Sequence, residues 1–140
     1  MIQRQQSLWL LLSTIGAFLS YKLPFFSGTQ IKKEGLPPVP YDLDAGSNMF
    51  LLVFTGASII LSLVTIFLYK DRKLQLRLSL GGVALSLLIL IIYFTQMKKF
   101  QTGSISLSCL LAFAVFAGYV MAARGIWKDQ KLVKTLDRLR

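Results

Sequence analysis

The chain has 140 residues, of which 54% are hydrophobic, and it carries a formal net charge of +10. Because the apolar residues fall in long uninterrupted blocks, this composition excludes an ordinary soluble domain and indicates a membrane protein. The chain has no histidine and one cysteine, Cys109. It therefore lacks the commonest metal ligand and general base, and it cannot form an intrachain disulfide.

The first apolar block covers residues 7–26 and predicts a membrane-spanning helix. Ser7 is a suitable N-cap for this helix, and Pro24 is expected to bend or end it. A signal peptide is the alternative, because Arg4 precedes the apolar core. The block has no well-placed pair of small residues for cleavage, so we interpret it as a helix.

Residues 27–48 form the longest polar stretch, and we expect an outer surface loop of about twenty residues there, either ordered or flexible. Its three closely spaced prolines favour extended, polyproline-like backbone. Asp42 and Asp44 could suggest a cation site. Their spacing does not match a calcium-binding loop, so we interpret them as solvated loop residues.

Three further apolar blocks, at residues 49–69, 78–97 and 105–123, each predict a membrane-spanning helix. A basic turn at residues 70–77 separates the first two of these blocks, and a basic tail follows at residues 124–140. The predicted fold is therefore an all-α, single-domain integral membrane bundle of four transmembrane helices.

The distribution of lysine and arginine predicts the orientation of this bundle. If the amino terminus lies inside, eleven basic residues lie on the inner side and five on the outer side. Because basic residues accumulate in cytoplasmic segments, both termini are expected to face the cytoplasm. Lys98 and Lys99 oppose this orientation, but they are outnumbered.

Small and hydroxyl-bearing residues recur every three or four positions in the last three blocks, which places them on one face of each helix. These faces predict close helix packing. The alternative interpretation is a path for a small polar solute, although no block has a charged residue near its middle, as proton-coupled transport usually requires. The candidate packing residues are Thr55, Ser58, Ser62, Thr65, Gly82, Ser86, Ala114, Gly118 and Ala122.

The tail at residues 124–140 carries apolar residues at helical spacing, with basic residues on its other faces. It is expected either to continue the fourth helix, to lie on anionic lipid headgroups, or to dock on an acidic protein surface. Nucleic acid is not an expected partner, because the basic segments are short and lack a known binding motif. The periodic apolar residues are Leu132, Val133, Leu136 and Leu139.

The two ends of the chain, MIQRQQSLWLLL and AARGIWKDQKLVKTLDRLR, resemble the family called domain of unknown function 4293. The resemblance implies a small inner-membrane protein of Bacteroidota with about four spans, and it supplies no activity. Gln130 stands where the family usually has an acid. The matching positions are residues 1–4, Gln6, Ile126, Asp129, Lys131, Leu132, Val133 and residues 137–140.

If both termini are cytoplasmic, the two recognisable ends lie on the same side of the membrane and can form one docking surface. We therefore predict a non-enzymatic accessory or assembly subunit of a larger bacterial inner-membrane complex, in contact with anionic lipid headgroups and a membrane-protein partner. A small transporter or channel is the alternative, and no catalytic residue, metal or cofactor is expected. The candidate docking residues are Arg4, Gln6, Asp129, Leu132, Val133, Asp137, Arg138 and Arg140.

Overall fold

The computed structural model describes residues 2–30 and 34–140. These residues are mostly helical, and they also form a small β-sheet. The elements in chain order are α1 (Ile2–Leu19), β1 (Phe26–Gln30), β2 (Val39–Leu43), α2 (Met49–Phe67), α3 (Arg72–Met97), β3 (Thr102–Ile105) and α4 (Cys109–Arg138).

The helices pack side by side, with α1 and α3 each lying against both α2 and α4. Asn48 starts α2 by accepting a hydrogen bond from the backbone amide of Phe50 at 3.0 Å. Among the described residues, α2, α3 and α4 are the helices long and apolar enough to cross a membrane. Helix α1 packs among them, but it begins with the polar sequence IQRQQ.

The exposed surface of the helices is apolar, and their interior carries hydroxyl groups. On α2, Ile60 and Phe67 are 66% and 78% exposed, whereas Ser58 and Ser62 are fully buried. A helix in water has the opposite pattern, because apolar side chains then face the core. This arrangement fits a lipid environment, where polar groups need partners inside the protein. The chain is therefore a membrane protein.

The prediction of an all-α fold is wrong in one respect, because the outer loop at residues 27–48 contributes two strands to a small β-sheet. Strand β1 pairs antiparallel with both β2 and β3, giving the order β2-β1-β3. Pro40 is compatible with β2 because an edge strand does not need every backbone donor. Gly28 faces Gly103 across β1 and β3, and a side chain at either position would collide with the opposite backbone.

Several helix bounds also differ from those predicted. Helix α3 begins at Arg72 instead of residue 78, so most of the predicted basic turn at residues 70–77 is helical. Helix α1 begins at Ile2, so Ser7 lies within the helix and is not its N-cap. Helix α1 ends at Leu19, ahead of Pro24, and Phe26 already belongs to β1. Ile105 belongs to β3, and α4 begins only at Cys109. Helix α4 then runs without interruption to Arg138, so the basic tail continues the fourth helix.

Aromatic contacts attach the sheet to the ends of the helices. The ring of Phe25 stacks on Tyr93 of α3, with the ring centroids 4.3 Å apart. The amide of Phe25 donates to the carbonyl oxygen of Leu43 at 2.7 Å, and the carbonyl oxygen of Phe25 accepts from the amide of Ser106 at 3.1 Å. The sheet thus covers the end at which α1 and α3 finish and α2 and α4 begin.

Candidate functional site

The predicted packing residues of α2 all lie in the interior. Thr55, Ser58, Ser62 and Thr65 are each at most 2% exposed. The hydroxyl of Ser62 lies 2.6 Å from the hydroxyl of Thr14 on α1. Such hydrogen bonds between helices hold membrane-embedded helices together where the hydrophobic effect does not distinguish protein from lipid.

Tyr119 of α4 connects three helices. It is fully buried, and its hydroxyl donates to the backbone carbonyl oxygen of Ser58 on α2 at 2.6 Å. Its ring lies against Gly82 of α3, where an added Cβ would overlap the ring carbons. Next to it, the hydroxyl of Ser13 on α1 donates to the carbonyl oxygen of Val115 at 3.1 Å. Small residues and hydroxyls therefore occur together where the helices come closest.

The remaining predicted packing residues have similar positions. Ser86 is buried in α3, and Gly118 and Ala122 are buried in α4. Ala114 is half-buried. An added Cβ on Gly118 would collide with the hydroxyl of Ser13, so this position also permits close contact between α1 and α4.

A small cavity lies between the hydroxyl-bearing faces. Its volume of about 10 Å³ is close to that needed by one water molecule. Thr55 and Ser58 line it, and in the described part of the chain their hydroxyls have no hydrogen-bond partner. In this conformation the space is too small for a solute larger than water.

Helices α1 and α4 run antiparallel along a regular seam. Gly16 lies against Val115, and Gln6 lies against Gly125, where an added Cβ would be 2.9 Å from the Gln6 Cγ. On α4, the residues facing α1 are spaced by three and four positions, as in coiled coils. These residues are Val115, Gly118, Ala122 and Gly125.

The same spacing continues along α4 towards its carboxyl end, through Asp129, Leu132, Leu136 and Leu139. The three leucines are 53%, 65% and 81% exposed. Helix α4 has 30 residues, about 45 Å at 1.5 Å per residue, whereas a bilayer core is about 30 Å thick. The exposed leucine stripe (Leu132, Leu136 and Leu139) therefore begins more than about 30 Å along the helix from Cys109.

The structure brings together only part of the predicted docking surface. Gln6 is 4% exposed and packs between α1 and α4. Arg4 instead lines a separate groove with Ile66 and Tyr69 of the α2 end. On the tail, Asp129 is half-buried, and the others are exposed: Leu132, Val133, Asp137, Arg138 and Arg140.

A larger groove, which the sequence did not predict, lies between α1 and the inner part of α4. Its volume is about 420 Å³. Arg124 and Lys128 lie one helical turn apart along it. The basic residues could be interpreted from the sequence as topology signals, but the proximity of Gln6 to them depends on the packing of two distant helices. The lining residues are Gln5, Gln6, Trp9, Met121, Arg124, Gly125, Lys128 and Leu132.

The described residues contain no cluster of side chains that could bind a metal ion. No group of three or more His, Cys, Asp or Glu side chains lies close enough together there to hold an ion. Cys109 is half-buried at the start of α4. The features that remain as candidate sites are the leucine stripe and the groove.

Long apolar helices with hydroxyl groups inside define the chain as a small helical membrane protein. The family model described as "Domain of unknown function (DUF4293)" matches residues 2–139, and the chain belongs to this family. Comparison with curated proteins and with solved structures found no match.

Proposed function

We propose that this protein is a non-enzymatic accessory or assembly subunit of a larger protein complex in a bacterial inner membrane. In this proposal all four helices span the bilayer as a bundle, and both termini face the cytoplasm. The excess of basic residues around α1's start, the α2–α3 turn and the end of α4 supports this orientation. The partner binds the cytoplasmic extension of α4.

The observation that carries this proposal is the leucine stripe. Leu132, Leu136 and Leu139 continue the spacing of the α1–α4 seam, and all three are exposed. Exposed apolar rows outside the bilayer typically mark an interaction site. A helix from another protein, packed against this stripe as α1 packs against the earlier part of α4, would bury it in the same geometry.

The charge of the tail indicates the chemistry of this partner. Residues 124–140 contain six basic and two acidic side chains. A second copy would bring two basic helices together, whereas a helix with acidic flanks would complement the tail. We therefore propose an apolar partner helix with acidic residues on either side of its contact face.

Binding of the tail along anionic lipid is the competing arrangement for this segment. It would require the tail to turn into the plane of the membrane. Helix α4 is continuous from Cys109 to Arg138, so the tail keeps the direction of the membrane-spanning part. That continuity favours a protein partner over the lipid surface.

Purification of the chromosomally tagged protein in mild detergent, with quantitative mass spectrometry, tests the proposal. The double variant Leu136→Gln/Leu139→Gln removes the two stripe leucines that do not line the groove beside Gln6, and Thr135→Gln is a control on the neighbouring exposed face. We expect one stoichiometric protein with an acidic cytoplasmic helix to be recovered with the wild type and the control, and to be lost with the double variant. Equal recovery with all three proteins, or no such protein with any of them, would contradict the proposal.

A further inference from the structure

The groove between α1 and α4 combines the features of an anion site. Arg124 and Lys128 project from successive turns of α4; both line the groove, and both side chains are exposed. The described residues that line it include two cations and no carboxylate. An arginine and a lysine without a carboxylate between them produce a local positive potential that attracts phosphate.

A buried and unpartnered donor lies at the same place. Gln6 is 96% buried, lines the groove, and packs its Cγ close to Gly125. In the described part of the chain its Nε2 has no hydrogen-bond partner. A buried amide N–H without a partner is costly, and a ligand oxygen entering the groove would satisfy it.

The other lining residues suggest how a ligand would be oriented. Trp9 and Met121 contribute apolar surface on the side of the groove that leads towards the membrane-spanning parts of α1 and α4. Tryptophan is enriched where membrane meets water, since its ring is apolar and its N–H is polar. The groove thus offers cations and an amide donor to a headgroup, and apolar surface to an acyl chain.

We propose that this groove binds a phosphate group, and that in the membrane this group belongs to an anionic phospholipid. Arg124 and Lys128 would bind the phosphate oxygens, Gln6 would donate a hydrogen bond, and Trp9 and Met121 would contact the first part of the lipid chain. Leu132 borders both the groove and the leucine stripe, but none of the proposed phosphate contacts involves a stripe residue. Loss of the protein partner and loss of the lipid can therefore be measured separately.

Native mass spectrometry of the full chain released from phosphatidylglycerol-containing nanodiscs measures bound lipid directly. The groove variant is Arg124→Gln/Lys128→Gln. The control, Lys131→Gln/Lys134→Gln, removes the same charge from the same helix outside the groove. Because each basic residue near a membrane surface contributes appreciably to anionic lipid binding, we expect the groove variant to bind lipid roughly tenfold more weakly and the control to change less than about twofold.

A second variant tests the amide separately from the charges. Gln6→Leu keeps an apolar side chain against Gly125 and leaves the net charge unchanged, so a drop in phosphatidylglycerol retention assigns the lost contact to the amide. Equal lipid loss in the groove and control variants would overturn the proposal, because the tail would then act only through its total charge. Full displacement of the lipid by excess inorganic phosphate would support the phosphate site but assign it to the free anion.

Discussion

The ring of Tyr119 in α4 occupies the space that a side chain at position 82 of α3 would need, so Gly82 allows these two helices to meet. From this position the hydroxyl of Tyr119 also reaches the carbonyl oxygen of Ser58 in α2. One aromatic side chain therefore connects three helices. In a membrane, where helix association depends on close packing and on hydrogen bonds, contacts of this kind hold the fold together.

Substitution of Gly82 by alanine is expected to destabilise the protein. The added methyl group has to displace a buried ring, and overpacking of this kind costs about 1–3 kcal/mol of unfolding free energy. Thermal unfolding in detergent measures the change. Gly81→Ala is the matched control, since no atom lies within 4 Å of its added Cβ. Its unfolding midpoint should stay the same or rise, and equal losses in both variants would contradict the packing described.

Removal of the Tyr119 hydroxyl is expected to have a smaller effect. Tyr119→Phe keeps the ring over Gly82 but loses the hydrogen bond to Ser58, which is worth about 0.5–1.5 kcal/mol. The same unfolding assay measures it, with Tyr69→Phe as control because Tyr69 is exposed. An unchanged midpoint for Tyr119→Phe would show that this hydrogen bond contributes nothing to stability.

The cavity beside Thr55 is expected to hold one water molecule, because it has the volume for one and is lined by hydroxyls without other partners. Thr55→Val removes one partner of that water and should lower the unfolding free energy by about 1 kcal/mol. Thr95→Val, on the exposed surface of α3, is the control. A higher midpoint for Thr55→Val would show that the cavity is dry and the threonine hydroxyl unsatisfied.

The proposed orientation predicts which engineered cysteines react from outside the cell. In a Cys109→Ala background, Leu36→Cys lies between β1 and β2, and Leu139→Cys lies at the end of α4; both original side chains are exposed. A membrane-impermeant maleimide should label position 36 in spheroplasts and position 139 only after lysis. The reverse pattern would contradict the positive-inside assignment, and labelling of both positions in intact spheroplasts would place the termini on opposite sides.

The helices could be predicted from the sequence because their signal is local. The block beginning at Met49 is apolar and uncharged over a whole bilayer thickness, and its hydroxyl residues recur at helical spacing. The β-sheet could not be predicted in this way. Strand β1 is polar and contains Gly28, β2 contains Pro40, and β1 pairs with β3 more than seventy residues away. Pairing over that distance leaves no local pattern in either segment.

The candidate sites also combine features that the sequence predicts with features that only the structure shows. The spacing of Leu132 and Leu136 is visible in the sequence, but only the packing of α1 shows that they continue a seam. Because Arg4 and Gln6 are close in the chain, the sequence did not show that their side chains lie in different grooves. Residues two positions apart on a helix project in nearly opposite directions. Gln6 therefore packs against Gly125 of α4, whereas Arg4 lines a groove with Tyr69. The groove beside Arg124 likewise depends on which face of α1 packs against α4.

Site-specific photocrosslinking in living cells most directly tests whether the leucine stripe docks on a partner. A photoreactive phenylalanine is placed at Leu136 on the stripe or, as control, at Lys134, which projects from another face of the same exposed helix. We predict one protein adduct of defined mass at position 136 and none at position 134. Absence of a protein adduct at position 136, or equal adducts at both positions, would contradict docking through the stripe.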